Sequence, residues 1–359
     1  VFFILKLIKM STKTHDFIKL FERFIKDMKS GIRLQANGKK IKSSTIQNYQ
    51  STLKYIKAFV ITSTFDLRID SIKPQQGPAW IKAKKYWHRF YILFTNFLYH
   101  KGCYDNFVGS QVKAIKVFLK YVEVEQGIYT GSFYKKFYVL KEEVDIQVLM
   151  PQQLQQLIYD QNLSNKLRPQ LQLVKDIFVV GATVALRYGD LMALQWTDLV
   201  QHKGGAYLTC TSEKTDSRTM VKIPQYVSDI INKYKKGRRK AIFPSISLDN
   251  FDTLIKKLFE LAGWEDEVVK TRNVRGVPVV IKPAAPLKVY RFCDLATSHM
   301  MRRTAITTML MHGVQETVVK QISGHAKNSA SFYRYVAFVQ PFMDAEVEKH
   351  HTKMQDILI

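Results

Sequence analysis

Apolar residues recur at spacings of three and four over residues 12–30, which places Phe17, Phe21, Phe24, Ile25 and Met28 on one face of a helix. A polar, basic loop follows, from Gly31 to Lys42. Ser43 or Ser44 stands where it can cap a second helix, whose apolar stripe is Ile46, Tyr49, Leu53, Ile56 and Val60. Pro74, Gly77 and Pro78 mark residues 66–79 as a connection. Two more apolar helices are predicted, near 80–100 and 107–124. In the second, Val112, Ile115, Phe118 and Val122 interleave with Lys113, Lys116 and Lys120, giving one buried face and one basic face. Four such helices make a small all-α domain over residues 1–140.

Residues 127–147 read as a linker, and a new helical region starts near Pro151. The period then changes. Tyr207–Cys210 and Met220–Ile223 read as short strands around a polar turn. Residues 265–298 mix Val-rich pieces with Pro278, Pro283 and Pro286 and carry no clear period. From His299 onward the pattern is helical again. There is no internal repeat and no low-complexity tract. The expected second domain, residues 141–359, is mainly α with a small β-sheet.

Charge changes this picture from fold to partner. The 359 residues carry a formal net charge of +25. Residues 1–140 hold 25 Lys and Arg against 8 Asp and Glu, so the N-terminal part carries most of the excess. That balance favours a polyanionic partner. It is not confined to one amphipathic helix, which argues against a membrane surface. No apolar run is long enough to span a bilayer. Val1–Ile8 is apolar but short and interrupted by Lys6, too brief for the core of a secretory signal. Cys103, Cys210 and Cys293 are far apart and odd in number, which predicts neither a disulfide framework nor a zinc site and fits a reducing cytoplasm. His299, His312 and His325 show no metal-ligand spacing, so no metal or other cofactor is expected.

The candidate chemistry lies in the second domain. Val184–Leu194 reads as helix and sets Arg187 among apolar residues, with Asp190 three positions on along the same helical face, an arrangement that also suits a plain structural ion pair. Lys214 sits between the two strand candidates, on a turn from which it can reach a cleft or stay solvated. His299 and Arg302 are three apart on one face of a helix that buries Met301, Ala305 and Met309 and stops at Gly313. Val318–Gly324 reads as a short helix with His325 just past its glycine stop. Phe332-Tyr333-Arg334-Tyr335-Val336 follows; on a helix its two tyrosines diverge by roughly 200°, so only one can face a common site. Arginines clamp phosphate oxygens, histidines bond them or move protons, and a tyrosine can attack phosphorus and hold it covalently.

The order and spacing of these pieces resemble the tyrosine recombinases, or phage-type integrases, whose motifs read like GLRYSDL, HxxRRT and SGH…FxKYI. The resemblance covers about residues 170–340. The first 140 residues also resemble that family's SAM-like core-binding domain, through Ser44–Tyr49 and the Lys-rich helix before Gly127-Ile128. It implies an N-terminal helical core-binding domain and a C-terminal catalytic domain that together clamp double-stranded DNA. It implies site-specific cutting and rejoining through a 3′-phosphotyrosine bond, without cofactor. By motif, Arg187 and Arg302 are the phosphate-clamping arginines and Asp190 an acidic neighbour. Lys214 protonates the leaving 5′ oxygen, and His299 and His325 are the paired histidines. Family members usually carry the nucleophile nine residues after the second histidine, which here is Arg334. Tyr335 is preferred over Tyr333 because Phe332-x-Arg334-Tyr335-Val336 resembles FxKYI with one residue inserted upstream. The resemblance further implies a tetramer on paired sites, accessory DNA-bending proteins, no membrane, and a cytoplasmic, nucleoid-associated location. Two rival functions share the fold class: a catalytically silent DNA-binding protein, and strand cleavage of the type IB topoisomerase kind.

Overall fold

Asp16 accepts a hydrogen bond from the Lys19 backbone N–H and so starts helix α1 (Phe17–Ser30), which ends where Gly31 turns left-handed at φ 77°. The computed structural model describes residues 13–72, 77–202, 204–211, 218–235, 237 and 239–357. Val1–Ile8 and Lys214 therefore lie outside the described residues. The chain forms two compact units. The first runs through Val144 and takes in Thr271–Ile281; the second comprises Asp145–Lys270 and Lys282 onward. The whole is mostly helical with small antiparallel sheets. No helix among the described residues is long and apolar enough to cross a membrane.

The first unit contains α1, α2 (Ser43–Ser63), α3 (Pro78–His100) and α4 (Asp105–Val124). Its core is aromatic. Phe118 of α4 lies 4.9 Å from Phe17 and 4.4 Å from Phe21 by ring centres, and Phe59, Phe90 and Phe94 extend the cluster. Off-centre ring pairs of this kind add to simple area burial. The predicted stripe of α1 is buried; on α2, Ile46, Leu53 and Ile56 are buried, Tyr49 and Val60 half-buried, and Thr52 and Phe59 are buried in addition. Several local expectations change. Thr14–Asp16 is a strand paired with Arg68–Asp70, so the helix predicted from residue 12 begins later and the expected connection holds a strand. Lys42, not Ser43 or Ser44, occupies the cap position of α2, and its side chain does not cap the helix. Lys116 does not share an open basic face with Lys113 and Lys120: its ammonium donates to the carbonyls of Lys135 and Phe137 at 2.9 Å each. The stretch read as linker buries Phe133, Tyr134 and Phe137 against the same core.

The stretch with no readable period supplies a hairpin to this unit. Thr271–Val274 pairs with Val277–Val280. Its two turn residues, Arg275 and Gly276, both have positive φ, as a tight two-residue hairpin turn requires. Their backbone N–H groups both donate to buried Asp105, at 2.7 Å each, and Tyr99 donates to the same carboxylate at 2.6 Å. Glu142, whose side chain is 1% exposed, accepts from Arg272 at 2.8 and 2.5 Å and from the Asn273 backbone. Burial opposes the Glu142 charge, but these donors outweigh it and hold the carboxyl below its ordinary range.

In the second unit, α5 (Pro151–Tyr159) and α6 (Gln161–Lys166) lead into α7 (Pro169–Val184), whose residues Val174 and Ile177–Val180 are all fully buried. A helix apolar on every side belongs at the centre of its domain. Around it lie α8 (Tyr188–Met192), α9 (Gln225–Lys233), α10 (Leu248–Leu261), α11 (Ser298–Met311), α12 (Glu316–Ser323) and α13 (Ala330–Ile357). The sheet has three antiparallel strands, Leu199–His202, Gly205–Thr211 and Arg218–Lys222. The second contains the predicted strand Tyr207–Cys210, the third ends at Lys222, one residue short of the predicted Met220–Ile223, and the first is an addition.

Removing a carboxylate from the hairpin's seat tests how much it matters. Glu142→Gln leaves Arg272 without its anion and should cost about 2–3 kcal/mol in urea unfolding. The exposed neighbour Glu143 serves as control. Equal midpoints for Glu142→Gln and Glu143→Gln would refute the role given to this contact.

Candidate active site

Gly181 sets how near α11 lies to α7. A Cβ there would meet Met301 Sδ at 2.7 Å and Leu191 at 3.1 Å, so only glycine allows this approach. Four residues later α7 stops at Ala185, which is fully buried with φ 57°. This left-handed turn is costly for a residue with a Cβ. It aims the Ala185 carbonyl at α11, where Arg302 Nη1 donates to it at 2.9 Å. Arg187 then begins α8 as its cap residue and pairs with Asp190 at 3.7 Å. The arginine read as helical thus stands at a break between two helices. Asp252 of α10 accepts from the Ser298 backbone N–H at 2.6 Å and secures the first turn of α11, where His299 sits.

Arg302 is 3% exposed. Among the described residues no carboxylate pairs with it. Burial, and then Arg187, push its guanidinium down to about 10, with Tyr335 and Asp190 partly offsetting them. Its other described partner is His325: Nη2 lies 3.3 Å from Nδ1. A guanidinium only donates, so this contact is a hydrogen bond in the tautomer that leaves Nδ1 bare. Ser323 Oγ lies 2.8 Å from the same Nδ1. Gly324, left-handed at φ 61°, ends α12 and delivers His325, whose backbone N–H donates to Lys320 at 2.9 Å. Burial first, then Arg302, Arg187, His299 and Lys320, lower His325 to about 4.

These groups border one cleft of about 220 Å³, lined by Arg187, His299, Arg302, Arg303, His325, Arg334 and Tyr335 among others. Tyr335 is 7% exposed and its ring centre is 6.1 Å from that of His325. Tyr333, 51% exposed, turns away and packs under the Lys320 ammonium at 4.6 Å. The fold therefore brings together five of the six residues predicted from sequence, Arg187, His299, Arg302, His325 and Tyr335; the sixth, Lys214, lies outside the described residues. Sequence reading missed Arg303, Arg334, Ser323 and Asp252. The first three adjoin motif residues and carried that much signal. Asp252 carried none, since nothing in sequence ties it to Ser298.

A concave wall of two buried or half-buried arginines, two histidines and a tyrosine suits a phosphate diester and an attack on it. The phage integrase family model matches residues 147–339, more than half of the chain and all five of these positions. The chain belongs to the phage integrase family. It is a site-specific tyrosine recombinase, a DNA strand-transferase. Solved integrases share its fold. A lambda integrase dimer bound to a COC' core site aligns with TM-score 0.58 at 14% identity, over 90% of this chain and 77% of that one. The Tn1549 transposon integrase (residues 82–397, Y379F) in complex with transposon right end DNA aligns with TM-score 0.56 at 15% identity, over 92% and 98%. A lambda integrase tetramer bound to a Holliday junction gives 0.55 at 15%, over 91% and 78%. No curated protein matches the chain in sequence.

The lowered His325 value has a thermodynamic signature in this integrase. As pH falls below the ordinary 6.5, the unfolded ring takes a proton, whereas the folded ring stays neutral down to about 4. Its stabilising part is full above the unfolded value and is lost across that window. His325→Gln should therefore lose less melting temperature than the unmodified protein between pH 7 and pH 4.5. Identical pH dependence in the two proteins would count against the buried neutral ring.

Proposed function

We propose that the cleft of this integrase takes a phosphodiester of double-stranded DNA and that Tyr335 attacks it. The observation carrying this reading is Arg302, a nearly buried cation beside a second arginine, facing a cleft that also holds Tyr335 and His325. Such a site is costly alone and is relieved by an anion. Two guanidiniums match the non-bridging oxygens, whose charge grows in the five-coordinate transition state. The Nε2–H of His325 donates to the same oxygens, and His299 stands on the same wall. The Tyr335 phenol gives up its proton to water in the cleft, its oxygen bonds to phosphorus, the bond to the 5′ oxygen breaks, and Lys214 gives that oxygen its proton. The resulting 3′-phosphotyrosine keeps the energy of the broken diester, so a 5′-hydroxyl can reverse the step without ATP.

The N-terminal unit acts as the core-binding domain. Its charge supports this, as do Lys82, Lys85 and Arg89 along one groove. Contacts of this kind grip phosphates and carry little sequence information. Self-association on paired sites belongs to the same reading. Beyond Val339, α13 leaves Phe342, Met343 and Val347 exposed, an apolar strip suited to a second copy. Accessory DNA-bending proteins and a nucleoid location are expected with it.

Two experiments follow. On nicked suicide DNA carrying the target site, Tyr335→Phe should abolish the covalent adduct while Tyr333→Phe retains it, and peptide mapping should place the bond on Tyr335. An adduct that persists in Tyr335→Phe and vanishes in Tyr333→Phe reverses the assignment; none from the unmodified protein supports the silent binder. Separately, Phe342→Gln with Met343→Gln should weaken assembly on two-site DNA about tenfold, or ~1.4 kcal/mol, with single-site binding intact. Unchanged assembly removes this strip from the interface.

A further inference from the structure

Arg303 is a cation that the clamping of phosphate does not use. It follows Arg302 on α11, so its side chain leaves the helix about 100° further round. Arg302 turns to Ala185 and His325, on the α7 side. Arg303 turns to the part of the same cleft bordered by α13, where Ser331, Arg334 and Tyr335 stand. Tyr335 has little freedom of its own. It is buried with Phe332 and Val339 in the cluster that joins α11 to α13, and its ring sits edge-on to those of Phe332 and His325. What packing does not fix is the direction and charge of its hydroxyl. Arg303 and Tyr335 border this cleft together, and burial first, then Arg334, hold the Arg303 guanidinium below its ordinary range while the nearby Tyr335 oxygen partly offsets them.

We propose that Arg303 is a positioning residue for the nucleophile, acting through the Tyr335 phenol rather than on the phosphate. This rests on the reading of Tyr335 as the attacking group. Always cationic at neutral pH, Arg303 cannot take the phenol proton. It donates to the phenol oxygen, keeps a lone pair turned into the cleft, and shares the negative charge that develops as the O–H proton passes to water and the O–P bond forms. The bond to the 5′ oxygen breaks in the same step, and that oxygen receives its proton from elsewhere in the site. The site thus divides its cations. Arg187 and Arg302 serve the phosphate, and Arg303 serves the attacking oxygen.

The test uses the full chain, with Arg303→Met to keep side-chain length without charge and Arg303→Lys to keep the charge. Far-ultraviolet circular dichroism and melting confirm that each folds. The first readout needs no DNA. The 13Cζ resonance of Tyr335, assigned by its loss in Tyr335→Phe, should move in Arg303→Met and return part-way in Arg303→Lys. The second is adduct formation on suicide DNA, which should fall about a hundredfold in Arg303→Met with gel-shift affinity unchanged. The third removes the phenol: in Tyr335→Phe, cleavage is driven by added hydrogen peroxide as a small oxygen nucleophile. There Arg303→Met should cost nothing more, whereas Arg302→Lys should still lower the rate. An equal loss with peroxide and with Tyr335 would make Arg303 a phosphate ligand and overturn the proposal. So would an unmoved 13Cζ resonance. If the resonance moves but the unmodified protein forms no adduct, the positioning stands and the assignment of Tyr335 as nucleophile fails.

Discussion

Burying one guanidinium shapes the catalytic unit. Arg302 lies almost out of water, and a charge there is tolerated only with hydrogen-bond acceptors and an anion close by. Each local irregularity of the unit serves that requirement. A glycine on α7 lets α11 come close, an alanine turns left-handed to present its carbonyl, and a glycine stop on α12 brings a histidine nitrogen to the other side. The protein supplies the neutral acceptors and leaves the place of the anion to the substrate. Folding stability and phosphate affinity are thereby set against each other at one residue.

That arrangement also fixes the chemical state of the neighbours. Arg302 can only donate toward Nδ1 of His325, and its charge helps keep the ring neutral. The histidine then presents a constant N–H donor across the physiological range. Electrostatic preorganisation of this kind needs no proton movement at the histidine during the reaction.

Much of this was legible in the sequence because it is written at short range. The Phe17–Met28 stripe and the His299–Arg302 pair follow from helical spacing alone. A helix sends Tyr333 and Tyr335 in different directions, so only one could face the site, and the burial of one and the exposure of the other follow that rule; the choice of Tyr335 rested on the FxKYI resemblance. What was missed is long-range or depends on backbone dihedrals. An alanine with positive φ looks like any alanine, so the break before Arg187 read as helix. Asp252 and Ser298 are 46 residues apart and meet only in the fold. Lys116 looked like its neighbours on α4 until two distant carbonyls claimed its ammonium. Thr271–Val280 gave no period because its residues serve Asp105 and Glu142 rather than a face of their own sheet.

The borrowed hairpin means that the first unit is not a continuous stretch of chain. The polypeptide leaves it at Val144, returns at Thr271 and leaves again at Ile281, so three peptide links join it to the rest. A protease nick after Val144 alone would not release it. A fragment ending there would carry Asp105 and Glu142 as buried carboxylates stripped of the Arg272–Gly276 donors. Dissecting this integrase into its two units therefore calls for a circular permutation, or for the hairpin grafted back as a short extension, rather than a single cut.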